Sequence, residues 1–77
     1  RDQSIEDRQA AVQASEFIEW GLSKLRPRER LVISLLELEE KSVSEIAGLT
    51  GWSEANVRVR AHRARQKLKK ILEESHE

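Results

Sequence analysis

Between Glu54 and Lys70 lie seven basic residues, Arg58, Arg60, Arg63, Arg65, Lys67, Lys69 and Lys70, against one acid, Glu54, a net of 7 − 1 = +6. The chain as a whole is neutral, with 14 Lys and Arg against 14 Asp and Glu, so half of its positive charge sits on this one stretch. Such a row of cations addresses anions, either a nucleic-acid backbone or an acidic protein. Catalysis finds less to work with. Cysteine is absent, which removes thiol nucleophiles, thiolate ligands and disulfides together. His62 and His76 have no metal-ligand spacing. The carboxylates fall on solvated faces without apolar surroundings, and there is no Gly-rich phosphate loop. The sequence predicts a binding module rather than an enzyme, with no cofactor, no metal and no small-molecule substrate.

Seventy-seven residues with 36% charged, three Gly and one Pro predict one small helical domain, a fragment of something larger. The longest apolar run, Leu31–Leu36, is far short of the roughly 18–20 residues of a membrane span. No secretory signal is visible, and the lack of cysteine is compatible with a reducing cytoplasm.

The basic segment alternates briefly at "VRVR", as a strand does. The longer window obeys a helical rule, since Val57, Ala61, Ala64, Leu68 and Ile71 recur at +4, +3, +4, +3. The opposite side carries Arg58, His62, Arg65 and Lys69, with Arg60, Arg63, Lys67 and Lys70 beside them. A solvated helix gains from mixed signs at i, i+4, and this one forgoes that gain through four turns.

The elements that position this helix are legible upstream. A first helix over about 5–24 is expected after an N-cap at Ser4, with Ala11, Ala14, Ile18, Leu22 and Leu25 as its apolar stripe and Gly21 as an interruption. Residues 1–4 read as linker or frayed terminus. Arg26-Pro27 ends that segment and starts a second helix, about 28–39, with Leu31, Val32, Leu35, Leu36 and Leu38 inward. Ser42 and Glu45 form a capping box for a third helix, about 43–50, with Val43, Ile46, Ala47 and Leu49 inside. Gly51 stops it. Ser53 caps the last helix, about 54–72, and 73–77 are a tail in which His76 is inert. The fold class is all-α, a small four-helix domain with a C-terminal helix-turn-helix.

In that motif the last helix enters the DNA major groove by its N-terminus, while the helix before it crosses the backbone. Asn56, Arg58, Val59 and His62 lie early enough to meet base edges. Arg60, Arg63, Arg65, Lys67 and Lys69 suit phosphates, as do the cap residues Ser42 and Ser53. The acids gather mainly in the first two helices and their connection, so the molecule should be a dipole with one basic face.

Leu25–Leu72, "LRPRERLVISLLELEEKSVSEIAGLTGWSEANVRVRAHRARQKLKKIL", resembles region 4 of a bacterial sigma factor of the extracytoplasmic-function type. "LRPRER", "SEIA" and "VRVRAHRARQKL" carry the likeness through their order and spacing. The resemblance implies recognition of the promoter −35 element in double-stranded DNA, docking on the β-subunit flap of the RNA polymerase core, and regulation by an anti-sigma protein, all in the bacterial cytoplasm. It also implies base contacts at Arg58, Val59, His62 and Arg63. The chain departs from the pattern where similar factors usually have Gly-Thr at Ala55-Asn56, often Ser at Val59, and a smaller aliphatic at Trp52. The −35 sequence therefore does not carry over.

A LuxR-type output domain is the alternative, since its "PRE" helix and recognition helix look similar. The 21 residues from Pro27 to Ala47 match the sigma spacing, and LuxR-type domains typically have one fewer. A second alternative is a protein-interaction module whose basic helix meets an anti-sigma factor. Trp52 is expected in the core at the elbow of the motif. Phe17 and Trp20 lie off the main stripe of the first helix, either as a side contact to the third helix or as a partner surface.

Overall fold

A computed structural model of the chain describes residues 3–75. Within them are four helices and no strand: α1 (Gln3–Ser23), α2 (Pro27–Ile33, continued through a π-helical turn, Ser34–Leu38), α3 (Val43–Thr50) and α4 (Glu54–Glu74). Arg1, Asp2, His76 and Glu77, to which the sequence assigns linker and tail, lie outside the described residues. Ser4 is already inside α1, not its cap, and Glu73 and Glu74 still belong to α4. Among the described residues no helix is long and apolar enough to cross a membrane.

Local chemistry sets most of the helix ends. Glu29 Oε1 accepts the Arg26 backbone N–H at 2.8 Å, so the N-terminus of α2 is held by its own first turn. At α3, Ser42 Oγ accepts the Glu45 N–H at 3.0 Å while Glu45 Oε1 accepts the Ser42 N–H at 2.8 Å, the reciprocal box expected there. Gly51 adopts φ 81°, a left-handed conformation that costs glycine little, and its N–H returns to the Ala47 carbonyl. Ser53 Oγ then accepts the Asn56 N–H at 3.0 Å and opens α4.

The core is formed by Leu22, Leu25, Val32, Ile33, Leu35, Ile46, Val57, Ala61 and Ala64. Three expectations for it are corrected. Leu31 and Leu38 are exposed, and Ile33 takes their place inside. The π turn holds an extra residue, so the inward phase shifts along the segment and Leu38 swings to solvent. Leu49, on the far side of a helix of only two turns, is exposed as well. In α1, Ala11, Ala14 and Ile18 are exposed, because only the last turn of that helix reaches the others.

The outer part of α1 projects from the body, giving extents of 51 × 27 × 15 Å. The Cα radius of gyration, 15.0 Å, exceeds the roughly 11–12 Å of a compact chain of this length. Gly21 does not break α1. It is buried where α1 crosses α4, and a Cβ there would meet Leu72 Cδ2 at 2.6 Å and Leu68 Cδ1 at 3.0 Å. Phe17 and Trp20 stack with centroids 6.1 Å apart, and the Lys24 ammonium lies 5.4 Å from the Trp20 ring, which remains exposed.

Candidate nucleic-acid interface

α4 presents its N-terminal half to solvent because three elements hold its other side. α2 and α3 both pack on it, and α1 crosses it near Leu68 and Leu72. Val57 and Ala64 are fully buried on that side. An α-helix turns about 100° per residue, so Val59, His62, Arg63 and Lys70 point away from Val57. His62, Arg63 and Lys70 are exposed, Val59 is 46% exposed, and the three basic side chains enter no ion pair among the described residues. Arg58 is exposed beside them, 3.4 Å from Glu54 one turn earlier. That i, i+4 pair is solvated and easily exchanged for a nucleic-acid contact.

The flanking cations are occupied differently. Arg65 donates to Glu37 through Nε at 2.8 Å and lies 2.6 Å from it through a terminal nitrogen, tying α4 to the π turn. Lys67 Nζ lies 3.1 Å from Glu29 Oε1 and ties α4 to α2. Both suited phosphate from sequence, and each here meets an acid of the α2 segment, Arg65 while remaining exposed and Lys67 while half-buried. The Arg26 backbone N–H holds the Glu29 carboxyl below its ordinary value; burial pulls the other way, and Lys67 adds to the lowering. Lys69 is exposed farther along α4, beside an apolar groove lined by Ile33, Leu68 and Leu72.

Arg60 is half-buried. Its guanidinium carbon lies 4.4 Å from the centroid of the Trp52 ring, and its Nε donates to Asn56 Oδ1 at 3.1 Å. Trp52 packs against the core from the elbow, as expected, and offers its outer face to this arginine. A cleft of about 230 Å³ opens alongside, lined by Arg28, Glu29, Asn56, Val59, Arg60 and Arg63. Arg28, which the sequence reading did not single out, brings a cation of α2 to the same surface as the start of α4. Its place two residues after Arg26 in "RPRER" was the available signal, but nothing local says which way it faces.

Ser42 and Ser53 are exposed at the starts of α3 and α4. Each hydroxyl oxygen accepts a backbone N–H, which leaves its own O–H free to donate to a phosphate. No group of three or more His, Cys, Asp or Glu is placed to hold a metal ion among the described residues.

The family profile described as "Sigma-70, region 4" matches residues 21–68. The chain is 41% identical over 63 residues to RNA polymerase sigma factor YlaC of Bacillus subtilis (strain 168), an alignment covering 82% of this chain. It spans 36% of that relative's length. No solved structure gives a significant match. The profile match favours the sigma reading over the LuxR-type one, and it takes in the end of α1, the helix-turn-helix and the basic helix through Leu68. The chain belongs to the sigma-70 region 4 family.

Proposed function

We propose that this domain recognises the −35 element of bacterial promoters as region 4 of an extracytoplasmic-function sigma factor, and that it does so from α4. The observation that carries this is the outward face of α4, where Arg58, His62, Arg63 and Lys70 stand exposed behind a capped N-terminus. The first turns of α4 meet base edges with Asn56, Arg58, Val59, His62 and Arg63. Ser42, Ser53, Arg60 and Lys69 hold phosphates, and Arg28 extends that contact onto α2. Arg65 and Lys67 serve first as ties between helices. The domain acts by binding and carries out no chemistry of its own. Its second partner is the RNA polymerase core, through the β-subunit flap, and its place is the bacterial cytoplasm. An anti-sigma protein that covers the same basic face would act as a competitor of DNA.

Selection of bound duplexes from a randomised pool, followed by salt titration of the winner, tests this. A short asymmetric motif with a steep salt slope is expected. A palindrome would favour a dimeric regulator, and no enrichment would sink direct promoter reading. On the selected site, Arg58→Ala should weaken binding by about 1–3 kcal/mol and relax one position. Lys69→Ala should instead weaken all sequences alike and lower the salt slope by about 1.

A further inference from the structure

Asn56 is the third residue of α4, at the end that faces a groove, and its side chain is not free to choose how it binds. Arg60 Nε donates to Asn56 Oδ1 at 3.1 Å. A guanidinium Nε–H can only donate, so the atom it meets must be the amide oxygen and not the amide nitrogen. The arginine in turn is held by Trp52, whose ring lies 4.4 Å from the guanidinium carbon and whose other side is packed into the core. The attraction of a cation to an indole face favours this position over the many that a solvated arginine samples. Trp52, Arg60 and Asn56 thus form one chain running from the core to the rim of the cleft that Asn56, Val59, Arg60 and Arg63 line.

An unconstrained asparagine pairs with adenine by accepting from the N6 amino group while donating to N7. Here one of the two lone pairs of Oδ1 is already engaged, and an amino hydrogen coming to the other would lie beside the positive guanidinium, which disfavours it. The two amide N–H donors remain. They match edges that only accept: guanine O6 and N7, or thymine O4.

We propose that Trp52 is a positioning residue for base specificity: through Arg60 it fixes Asn56 as a donor, so that the base pair met by Asn56 is read as guanine or thymine and adenine is rejected. The inference rests on α4 entering the major groove, as proposed above. It deepens that reading by assigning a specificity to one of its residues.

Duplex selection with the 77-residue chain and four variants tests it. Asn56→Ala should lose preference at one position of the motif, which identifies the base pair concerned. The unaltered chain should show guanine or thymine there. Trp52→Leu and Arg60→Met should each shift that position toward adenine by about tenfold, within the range of one bidentate base contact, and leave the other positions unchanged. Trp52→Phe keeps an aromatic face and should restore the original preference. Arg60→Met leaves the core untouched; losing its phosphate contact weakens all sequences alike, so the preference at that one position decides the matter even if Trp52→Leu fails to fold. Adenine at the Asn56-dependent position in the unaltered chain would overturn the inference, as would an Arg60→Met profile identical to the original or no position that depends on Asn56. In each of those cases an enriched motif would leave promoter reading standing. If the unaltered chain enriches no motif, the promoter reading fails and this inference falls with it.

Discussion

α1 and α4 are both 21 residues long, yet they meet the rest of the molecule in opposite ways. α4 carries seven basic and three acidic residues, a net of 7 − 3 = +4, and it puts Val57, Ala61 and Ala64 into the core. α1 carries one basic and four acidic residues, a net of 1 − 4 = −3, and Ser4–Glu16 are exposed throughout. Length and helicity are therefore no guide to what a helix contributes. In α4 the buried side is narrow and made mostly of small residues, which lets α2 and α3 close on it while the broad remainder stays available to a ligand. In α1, Val12, Ala14 and Ile18 stay exposed, Phe17 stacks on Trp20, and the last turn with Leu25 joins the core.

The largest effect that could break this contrast is on stability. Ile46, fully buried between α3 and α4, should cost about 2–5 kcal/mol when replaced by alanine. Val12→Ala in the outer part of α1 should change stability by less than about 0.5 kcal/mol, since Val12 is already exposed. Urea unfolding of the two variants makes the comparison. Equal costs would mean that α1 is as much a part of the folded body as α3.

What the sequence disclosed follows the same division between local and distant causes. The caps at Ser42 and Ser53 and the stop at Gly51 are decided within four residues of chain, so they are visible in the residue order alone. The α4 stripe is also local, and Val57, Ala61 and Ala64 fall where its period puts them. The π turn is different: its extra residue turns Leu38 outward, and no apolar period announces it. The stripe of α1 was read correctly as a stripe, but periodicity does not say whether a partner exists. In the candidate interface, the basic face was legible from charge. The diversion of Arg65 to Glu37 and of Lys67 to Glu29 was not, because those acids lie 28 and 38 residues away in the chain. Arg60 was counted as a phosphate contact for its charge, and its stacking on Trp52 depends on how the elbow folds.

The close crossing of the two long helices at Gly21 gives the next prediction. Gly21→Val puts a branched side chain where even a Cβ would lie 2.6 Å from Leu72 Cδ2. Overpacking of this kind costs about 1–3 kcal/mol, and the α1–α4 crossing must open to relieve it. Thermal unfolding should show the loss, and amide exchange should rise around Leu68 and Leu72 while staying unchanged at Ile46. If exchange rises equally at Ile46, the crossing is part of the core rather than an attachment to it.

The smallest expected effect concerns the ties on the flank of α4, and it depends on pH. Glu29 has its carboxyl held low by the Arg26 backbone N–H and by Lys67. A depressed carboxyl stabilises the fold above its unfolded value, and that contribution is lost as pH falls through the folded one. At neutral pH, Glu29→Gln should therefore be less stable than the unaltered chain, by less than about 1 kcal/mol for a partly solvated pair. As pH drops below the ordinary carboxylate range the two should converge, because the unaltered Glu29 is then also neutral. Glu45, lowered chiefly by the Ser42 backbone N–H, shifts in the same sense and remains in both proteins, so an acid-side loss persists in the variant. DNA affinity supplies the link back to α4. With Glu29 neutral, Lys67 is released toward solvent, and the variant should bind random duplex slightly more tightly with a steeper salt slope. An unchanged salt slope would mean that Lys67 stays on the body of the domain without its carboxylate, held there by the packing of α2 against α4.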